Sequence, residues 1–296
     1  MKIIKHQDII DLKIKDSQIL QWVRQAFLLK SESNLPHKIS QTFNNGCNFY
    51  NTMPAIIPSI NAAGVKVVTR YPERAPSIKG DLLLYDYNSG ELLALMDATW
   101  ITAKRTGAVA ALAVDTFARK NFDSVAVIGL GQTGKCFLDM FFCNSKNLSK
   151  KIKLMKYKDH ADVMKSYLLK KGVKNIAICN SYEELIRDTD VIVSALTLAE
   201  SQMGEDKWFK EGCLVVPIHT RGFQNCDLFF DKVFADDKAH VEGFKFFNQF
   251  QSFSEIDLVL LGKAQGRLND NERILSYNIG IAIHDVFFAK KIYDLI

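Results

Sequence analysis

From residue 6 to residue 31 the apolar positions Ile9, Ile10, Leu12, Ile14, Ile19, Leu20, Val23 and Phe27 recur at helical spacing, which predicts a leading helix with one buried face. Residues 32–46 turn polar and close on Asn44, Asn45 and Gly46, a turn signal. Three strand-like runs follow: CNFYNTMPA (47–55), GVKVVTR (64–70) and GDLLLYDYNSGELLALMD (80–97). Within the last, DYNSGE separates two apolar runs as a hairpin turn does. The opening third of the chain therefore predicts a mostly antiparallel sheet preceded by a helix.

The texture then changes twice. DATWITAKRTGAVAALAVDTFARK (97–120) is rich in alanine, with Asp97 and Thr99 at its start, and reads as one long capped helix joining two domains. From residue 121 short apolar runs alternate with helical segments: SVAVIGLG, KCFLDMFF, IKLMKY, HADVMKSYLLKKG, NIAICN, SYEELIRD, VIVSAL, CLVVPIH and KVFADD. Such alternation predicts βαβ units on a parallel sheet, and so an α/β fold class. The closing segment RILSYNIGIAIHDVFFAKKIYDLI (273–296) reads as a helix that returns to the first domain.

The strongest local signal is GLGQTG. Gly129, Gly131 and Gly134, with Gln132 and Thr133 between the last two, stand directly after SVAVI and directly before KCFLDMFF. The first glycine permits a tight turn, the second lets backbone approach a pyrophosphate, and the third lets helix pack on strand. A bare βα turn is the plainer alternative, but the strand before and helix after favour a dinucleotide site. An acid for the ribose 2′-hydroxyl is expected about 20 residues on, at the end of the next strand. IKLMKY places Lys156 there, with Lys158 after it and Asp159 late. A lysine suits a 2′-phosphate, which favours NADP(H) over NAD(H). A solvated face of Lys150, Lys151, Lys153, Lys156 and Lys158 fits the same residues.

Three further positions carry candidate chemistry. Lys66 sits in the middle of the apolar strand GVKVVTR. It is either solvated on a half-buried strand or desolvated in a site, where it gains use as an acid or base. Arg105 lies among threonine, glycine and alanine in TAKRTGAVAA, a setting for a structural ion pair or for a guanidinium clamping a carboxylate. His219 follows CLVVPI, where strand ends face the ligand crevice of a parallel sheet. A cofactor or substrate contact and a structural histidine are both compatible with that place.

Bulk properties narrow the field. The 296 residues are 48% hydrophobic and 24% charged, ordinary for a soluble globular chain of one large or two smaller domains. No apolar run approaches the roughly 18 residues of a membrane span, and the charged opening lacks a signal-peptide core. A cytoplasmic protein is expected. The six cysteines form no CxxC pair, so neither zinc nor a disulfide framework is expected. A net charge of +5 suits anionic ligands but, without a motif, no nucleic acid.

The ordered set of MPA (53–55), GVKVVT (64–69), LLLYDYNSGELLALMD, ATWITAKRTGAVAALA, VAVIGLGQTG and GIAIHDVFFAKKIY resembles the ornithine cyclodeaminase/mu-crystallin family almost end to end. The resemblance implies an N-terminal α/β domain that binds substrate and forms a homodimer, completed by the C-terminal helix, and a Rossmann domain for NAD(P). Residues 1–118 with 275–296 are expected in the first and 119–274 in the second. It also implies that Lys66 is the active-site lysine and that Arg105 binds the substrate carboxylate. Thr106 continues the helix motif toward the cofactor.

The departures from the family pattern matter as much. Where an arginine usually reads the carboxylate, Lys38 in LPHKIS is the nearest cation. Where cyclodeaminases carry an aspartate, Gln224 stands in IHTRGFQ, and an amide cannot take up a proton as a carboxylate does. Glu73 in YPERAPSIKG is either a reader of a substrate amine or simply exposed. The expected function is an NAD(P)-dependent oxidoreductase acting at the Cα–N bond of a small amino or imino acid, with Lys66 shuttling the proton. A cyclodeaminase with no net redox and a non-catalytic NADPH-binding protein are the alternatives.

Overall fold

The computed structural model describes residues 1–197, 199 and 201–296. In chain order its elements are β1 (Lys2–Ile4), α1 (His6–Asp11), α2 (Asp16–Leu28), β2 (Ile39–Phe43), β3 (Asn48–Ile57), β4 (Ala62–Arg70), β5 (Ile78–Asp86), β6 (Leu92–Asp97) and α3 (Thr99–Phe117). Then come β7 (Ser124–Ile128), α4 (Gln132–Phe141), β8 (Lys151–Met155), α5 (His160–Lys170), β9 (Ile176–Cys179), α6 (Tyr182–Ile186), β10 (Val191–Ser194) and β11 (Leu214–Pro217). The chain ends with β12 (Lys232–Ala235), β13 (Phe253–Glu255), α7 (Ile256–Leu260), β14 (Ile274–Tyr277) and α8 (Ala282–Leu295). Two units form, Met1–Arg105 with Ile281–Ile296, and Thr106–Gly280, so the change of unit falls inside α3. Among the described residues no helix is long and apolar enough to cross a membrane.

The first unit is built on a six-stranded sheet ordered β1-β6-β5-β4-β3-β2. All neighbours are antiparallel except β1, which runs parallel to β6. Side chains alternate across these strands. Met53, Ala55 and Ile57 of β3, Lys66 and Val68 of β4, Leu82 and Leu84 of β5, and Ala94 and Met96 of β6 are among the residues buried on one face. Helix α8 packs across β3, β4 and β5 and against α2, with the rings of Trp22 and Phe288 edge to face at 5.2 Å. Ile283, Val286, Phe287, Phe288, Ala289 and Ile292 of α8 are all buried, each large side chain worth about 1.5–3 kcal/mol. On the alternate positions Pro54, Ile56, Val65, Val67 and Leu83 are only half-buried, and Leu95 is exposed.

The second unit carries an eight-stranded parallel sheet ordered β13-β12-β14-β11-β10-β7-β8-β9. Strands β7, β10, β11, β12 and β14 are buried at every residue, as strands covered on both faces are. From β7 the order proceeds to β8 and β9 on one side and to β10 and β11 on the other. That reversal opens a crevice at the carboxyl ends of β7 and β10. At the opposite end Asp190 ties the two strands together. Its Oδ2 accepts from the backbone N–H of Asp123 and Ser124 and from Ser124 Oγ at 2.9–3.0 Å, and Lys210 Nζ lies 2.7 Å from Oδ1. Burial opposes ionisation there, but these donors outweigh it and hold the carboxyl at about 2.

Several elements differ from the sequence expectations. The leading helix is two helices, because Lys13 takes a left-handed conformation (φ 50°) between α1 and α2. The apolar spacing runs across the break because Ile9 and Ile19 are both buried. The polar stretch before Gly46 contains β2, an edge strand exposed along its whole length, so no apolar alternation marked it. The last segment opens with a strand, not a helix: β14 lies between β12 and β11, and its four residues, buried on both faces, show no period. Gly280 (φ 96°) then separates it from α8.

One buried acid in the second unit lies three residues beyond Gln224. Asp227 is 1% exposed, accepts the Tyr277 hydroxyl at 2.6 Å through Oδ1, and among the described residues has no hydrogen-bond partner for Oδ2. Burial pushes its carboxyl up to about 6, although the Tyr277 hydroxyl pulls the other way. With the folded value above the unfolded one, the stabilisation is complete at acid pH and is lost as pH rises through about 6. The gap of about two units corresponds to ~3 kcal/mol. Asp227→Asn keeps the acceptor for Tyr277 and cannot ionise. Urea unfolding from about pH 5 to about pH 8 is expected to show the wild type losing ~1.4 kcal/mol relative to the variant, the remainder being lost already between about pH 4 and about pH 5. Parallel stability curves for the two proteins would exclude this role.

Candidate functional site

Lys66 occupies the centre of β4, opposite Met53 of β3 and Leu82 of β5, and is 0% exposed. Its Nζ lies 2.6 Å from Oδ1 of Asp285 in α8. The contact is a short ion pair, and among the described residues Nζ has no acceptor besides this carboxylate. The same Oδ1 accepts Arg105 Nε at 3.1 Å. Asp285 is fully buried and Arg105 is 5% exposed. Lys38, half-buried in the segment before β2, adds its charge to the group. Four charged residues from β4, α3, α8 and a loop thus surround one point of the first unit.

The electrostatics divide these groups. Burial is the main cause that lowers Lys66 to about 7, with Arg105 and Lys38 adding to it and Asp285 opposing. Burial disfavours ionised Asp285 as well, but Arg105 first and then Lys66 outweigh it and hold the carboxyl below its ordinary range. With Lys66 protonated the cluster has three cations and one anion, an excess that suits a carboxylate ligand. Lys66 can release a proton near neutral pH, whereas a guanidinium cannot.

Asp285 was not foreseen. The signal was an aspartate inside the apolar run IAIHDVFFA. Such a residue is almost never buried unless paired, so its position asked for a cation elsewhere in the chain. Glu73, by contrast, is exposed in the turn after β4, outside the buried cluster. That turn is shaped by Arg74, whose Nη2 donates to Thr69 O at 3.0 Å and Ser77 O at 3.1 Å.

The second unit holds the glycine loop between β7 and α4. Gly129 has φ 82°, and a Cβ there would lie 2.6 Å from the carbonyl carbon of Ala195. At Gly134 a Cβ would lie 2.2 Å from Gly129 O. The protein itself therefore requires both glycines. At Gly131 a Cβ would meet nothing within 4 Å. Gly131 is the N-cap of α4 and no side chain caps the helix, leaving open space before free N–H groups, which fits a diphosphate. Gln132 is exposed and Thr133 half-buried in the first turn of α4, and Thr106 is half-buried in α3.

The remaining positions lie at strand ends or beyond. Lys156 is exposed directly after β8, with its N–H donating to Cys179 O at 2.9 Å. His219 follows β11, and its Nε2 lies 2.6 Å from the hydroxyl of Ser194 at the end of β10. Burial lowers the imidazole to about 4, so it is neutral at physiological pH. Gln224 is half-buried at the start of a short 3-10 turn, Gln224–Phe229, in the second unit.

The strand order and the glycine loop at its reversal define the second unit as a Rossmann dinucleotide-binding domain. The chain belongs to the ornithine cyclodeaminase/mu-crystallin family, whose model matches residues 2–296. It is 29% identical over 254 residues to nodulation efficiency protein NfeD of Rhizobium meliloti, covering 82% of this chain and 78% of that protein. It is 27% identical over 280 residues to a delta(1)-pyrroline-2-carboxylate reductase of Bacillus thuringiensis subsp. konkukian, covering 88% and 85%. Its fold matches the structure of Thermococcus litoralis delta(1)-pyrroline-2-carboxylate reductase in complex with NADH and L-proline. The TM-score is 0.85 at 24% identity, over 100% of this chain and 97% of that one.

The three glycines are expected to separate in an alanine scan. Gly129→Ala and Gly134→Ala should lower the melting temperature, because each forces backbone to move. Gly131→Ala should melt as the wild type does yet bind NAD(P)H at least about tenfold more weakly, the ~1.4 kcal/mol of a disturbed phosphate contact. Fluorescence titration alongside thermal melts reads both. Undiminished nucleotide binding by Gly131→Ala would move the diphosphate away from this loop.

Proposed function

We propose that the protein is an NAD(P)H-dependent reductase of a small imino acid, able to run backwards as an amino acid dehydrogenase. The observation that carries this is the pairing of a lysine brought to about 7 with an arginine on one buried carboxylate. The cluster can hold an anion and exchange one proton at neutral pH. The family's pyrroline-2-carboxylate reductases act on a compound of this class. Gln224, where cyclodeaminases carry an acid, supports net reduction over cyclodeamination.

In this reading Arg105 and Lys38 attract the substrate carboxylate, and the fixed guanidinium sets its orientation. Lys66 in its ammonium form gives a proton to the imine nitrogen. In the reverse direction neutral Lys66 takes that proton from the amine. When bound to the glycine loop, the nicotinamide cofactor supplies or accepts the hydride at the α-carbon. Neutral His219 offers a polar contact without charge at the carboxyl end of β11. Lys156 after β8 supports a 2′-phosphate and thus NADPH, so both nucleotides belong in the assay. Glu73, being exposed, has no part in this scheme.

The test offers cyclic and open-chain 2-imino acids with NADPH and NADH and follows nicotinamide oxidation. Lys66→Ala is expected to lower kcat by about 100-fold or more, the range of general acid catalysis, with nucleotide affinity unchanged. Arg105→Ala should raise KM for the imino acid by about 10- to 100-fold, as loss of a charge-assisted hydrogen bond does. Near-normal turnover by Lys66→Ala would remove the lysine from the chemistry. Ammonia release from ornithine without net nicotinamide change would establish the cyclodeaminase instead.

A homodimer through the first unit is part of the same proposal. Its support is the half-buried apolar face of the sheet, where Pro54, Ile56, Val65 and Tyr85 line a cavity of about 320 Å³. Light scattering should report a dimer, and Val65→Glu a folded monomer. A monomeric wild type would end this part of the proposal.

A further inference from the structure

We propose that Asp285 is the positioning residue of this site: its Oδ1, shared by Lys66 Nζ at 2.6 Å and Arg105 Nε at 3.1 Å, holds the two cations in register and keeps the proton on Lys66 until the imine nitrogen takes it. The proposal rests on the reductase reading above. Its geometric basis is the shared oxygen itself. A carboxylate that only balanced charge would be served by one cation, yet this one joins β4, α3 and α8, and among the described residues its Oδ2 has no hydrogen-bond partner. Among the described residues Lys66 Nζ has no acceptor besides this carboxylate, so the other N–H bonds of the ammonium remain available for a substrate nitrogen.

The titratable and charged groups around Lys66 are few. Asp285 and its neighbour His284 come from α8, Arg105 from α3 and Lys38 from the segment before β2. Met53 and Leu82 on the flanking strands are apolar. Asp285 is thus the anion acting against burial, Arg105 and Lys38 in holding the ammonium form. In the step itself an N–H bond of Lys66 breaks as the imine nitrogen gains its proton. Hydride from reduced nicotinamide forms the new C–H bond, the nicotinamide is oxidised and the imine reduced. Neutral Lys66, beside an unchanged Asp285 carboxylate, then regains a proton from water.

The experiment follows the Lys66 ammonium by NMR in full-length protein labelled with ¹⁵N-lysine, the signal being assigned by its loss in Lys66→Met. Asp285→Asn removes the charge and keeps the shape, and Lys66 can answer by giving up its proton. The Lys66 titration midpoint should fall by about one pH unit or more, which is about a tenfold change in proton affinity. The alkaline limb of imine reduction should move by the same amount, at unchanged nucleotide affinity. An unmoved titration overturns the proposal. A moved titration in a wild type that reduces no imino acid leaves the hold on Lys66 standing and removes the reductase reading. Should Asp285→Asn not fold, Asp285→Glu decides. It keeps the charge one methylene away, so it should preserve the midpoint and lower kcat, and an unchanged kcat overturns the positioning role.

Discussion

The first unit is organised around one carboxylate oxygen that serves two cations. Asp285 and Arg105 are 180 residues apart in the chain, and Asp285 and Lys66 are both 0% exposed. Removing each of these charges from water costs several kcal/mol even after relaxation, and their mutual attraction offsets that only when geometry is good. Apolar side chains of similar volume would hold β4, α3 and α8 together at lower cost. Adhesion already comes from the apolar face of α8, with Val286, Phe287 and Ile292 fully or almost fully buried. The charges are therefore better explained by what they do than by what they stabilise.

Three strand lysines show how differently a buried ammonium can be held. Lys66 and Lys153 interrupt apolar runs, Lys232 opens one directly after Asp231, and all three are buried. Lys153 Nζ donates to the carbonyls of Glu184 at 3.1 Å and Arg187 at 2.6 Å, closing the end of α6. Lys232 Nζ donates to Gly266 O at 2.7 Å and lies 3.1 Å from Glu272 Oε1. Both are satisfied within the second unit as structural donors. Lys66 differs in that, among the described residues, its ammonium meets only the Asp285 carboxylate. Lys66 and Lys153 look alike in sequence, because the pattern records that a lysine sits among apolar neighbours and not what its ammonium meets.

The same limit governs how much of the molecule was legible before its structure. Strands β3 to β6 alternate buried and open positions, so the antiparallel sheet could be read from the chain. The βαβ rhythm and the glycine loop disclosed the Rossmann unit, since each local choice there agrees with the global fold. Whole-chain family membership followed from motifs spread over most of the sequence. What escaped were elements with no period to see: the exposed edge strand β2, the fully buried four-residue β14, and the break at Lys13. Asp285 escaped for another reason. Its partners lie far along the chain, and an acid inside an apolar helix announces a pairing without naming it. Asp227 escaped because its short neighbourhood, QNCDLF, reads like any polar turn, and only burial distinguishes that acid from an exposed one.

The choice of two different cations on one carboxylate has a chemical logic. A guanidinium stays charged in any protein environment, so Arg105 contributes a fixed field and a planar donor set. An ammonium loses proton affinity on burial, and Lys66 is brought to about 7, where both of its forms are populated at neutral pH. Two arginines would leave no group able to move a proton, and two lysines would leave the anchor for an anion open to titration. In the second unit His219, the obvious alternative acid or base, is held neutral at about 4 and bonded to Ser194. Of Lys66, Arg105 and His219, Lys66 is thus the group that can exchange a proton near neutrality, and the carboxylate beside it decides how long it keeps its charge.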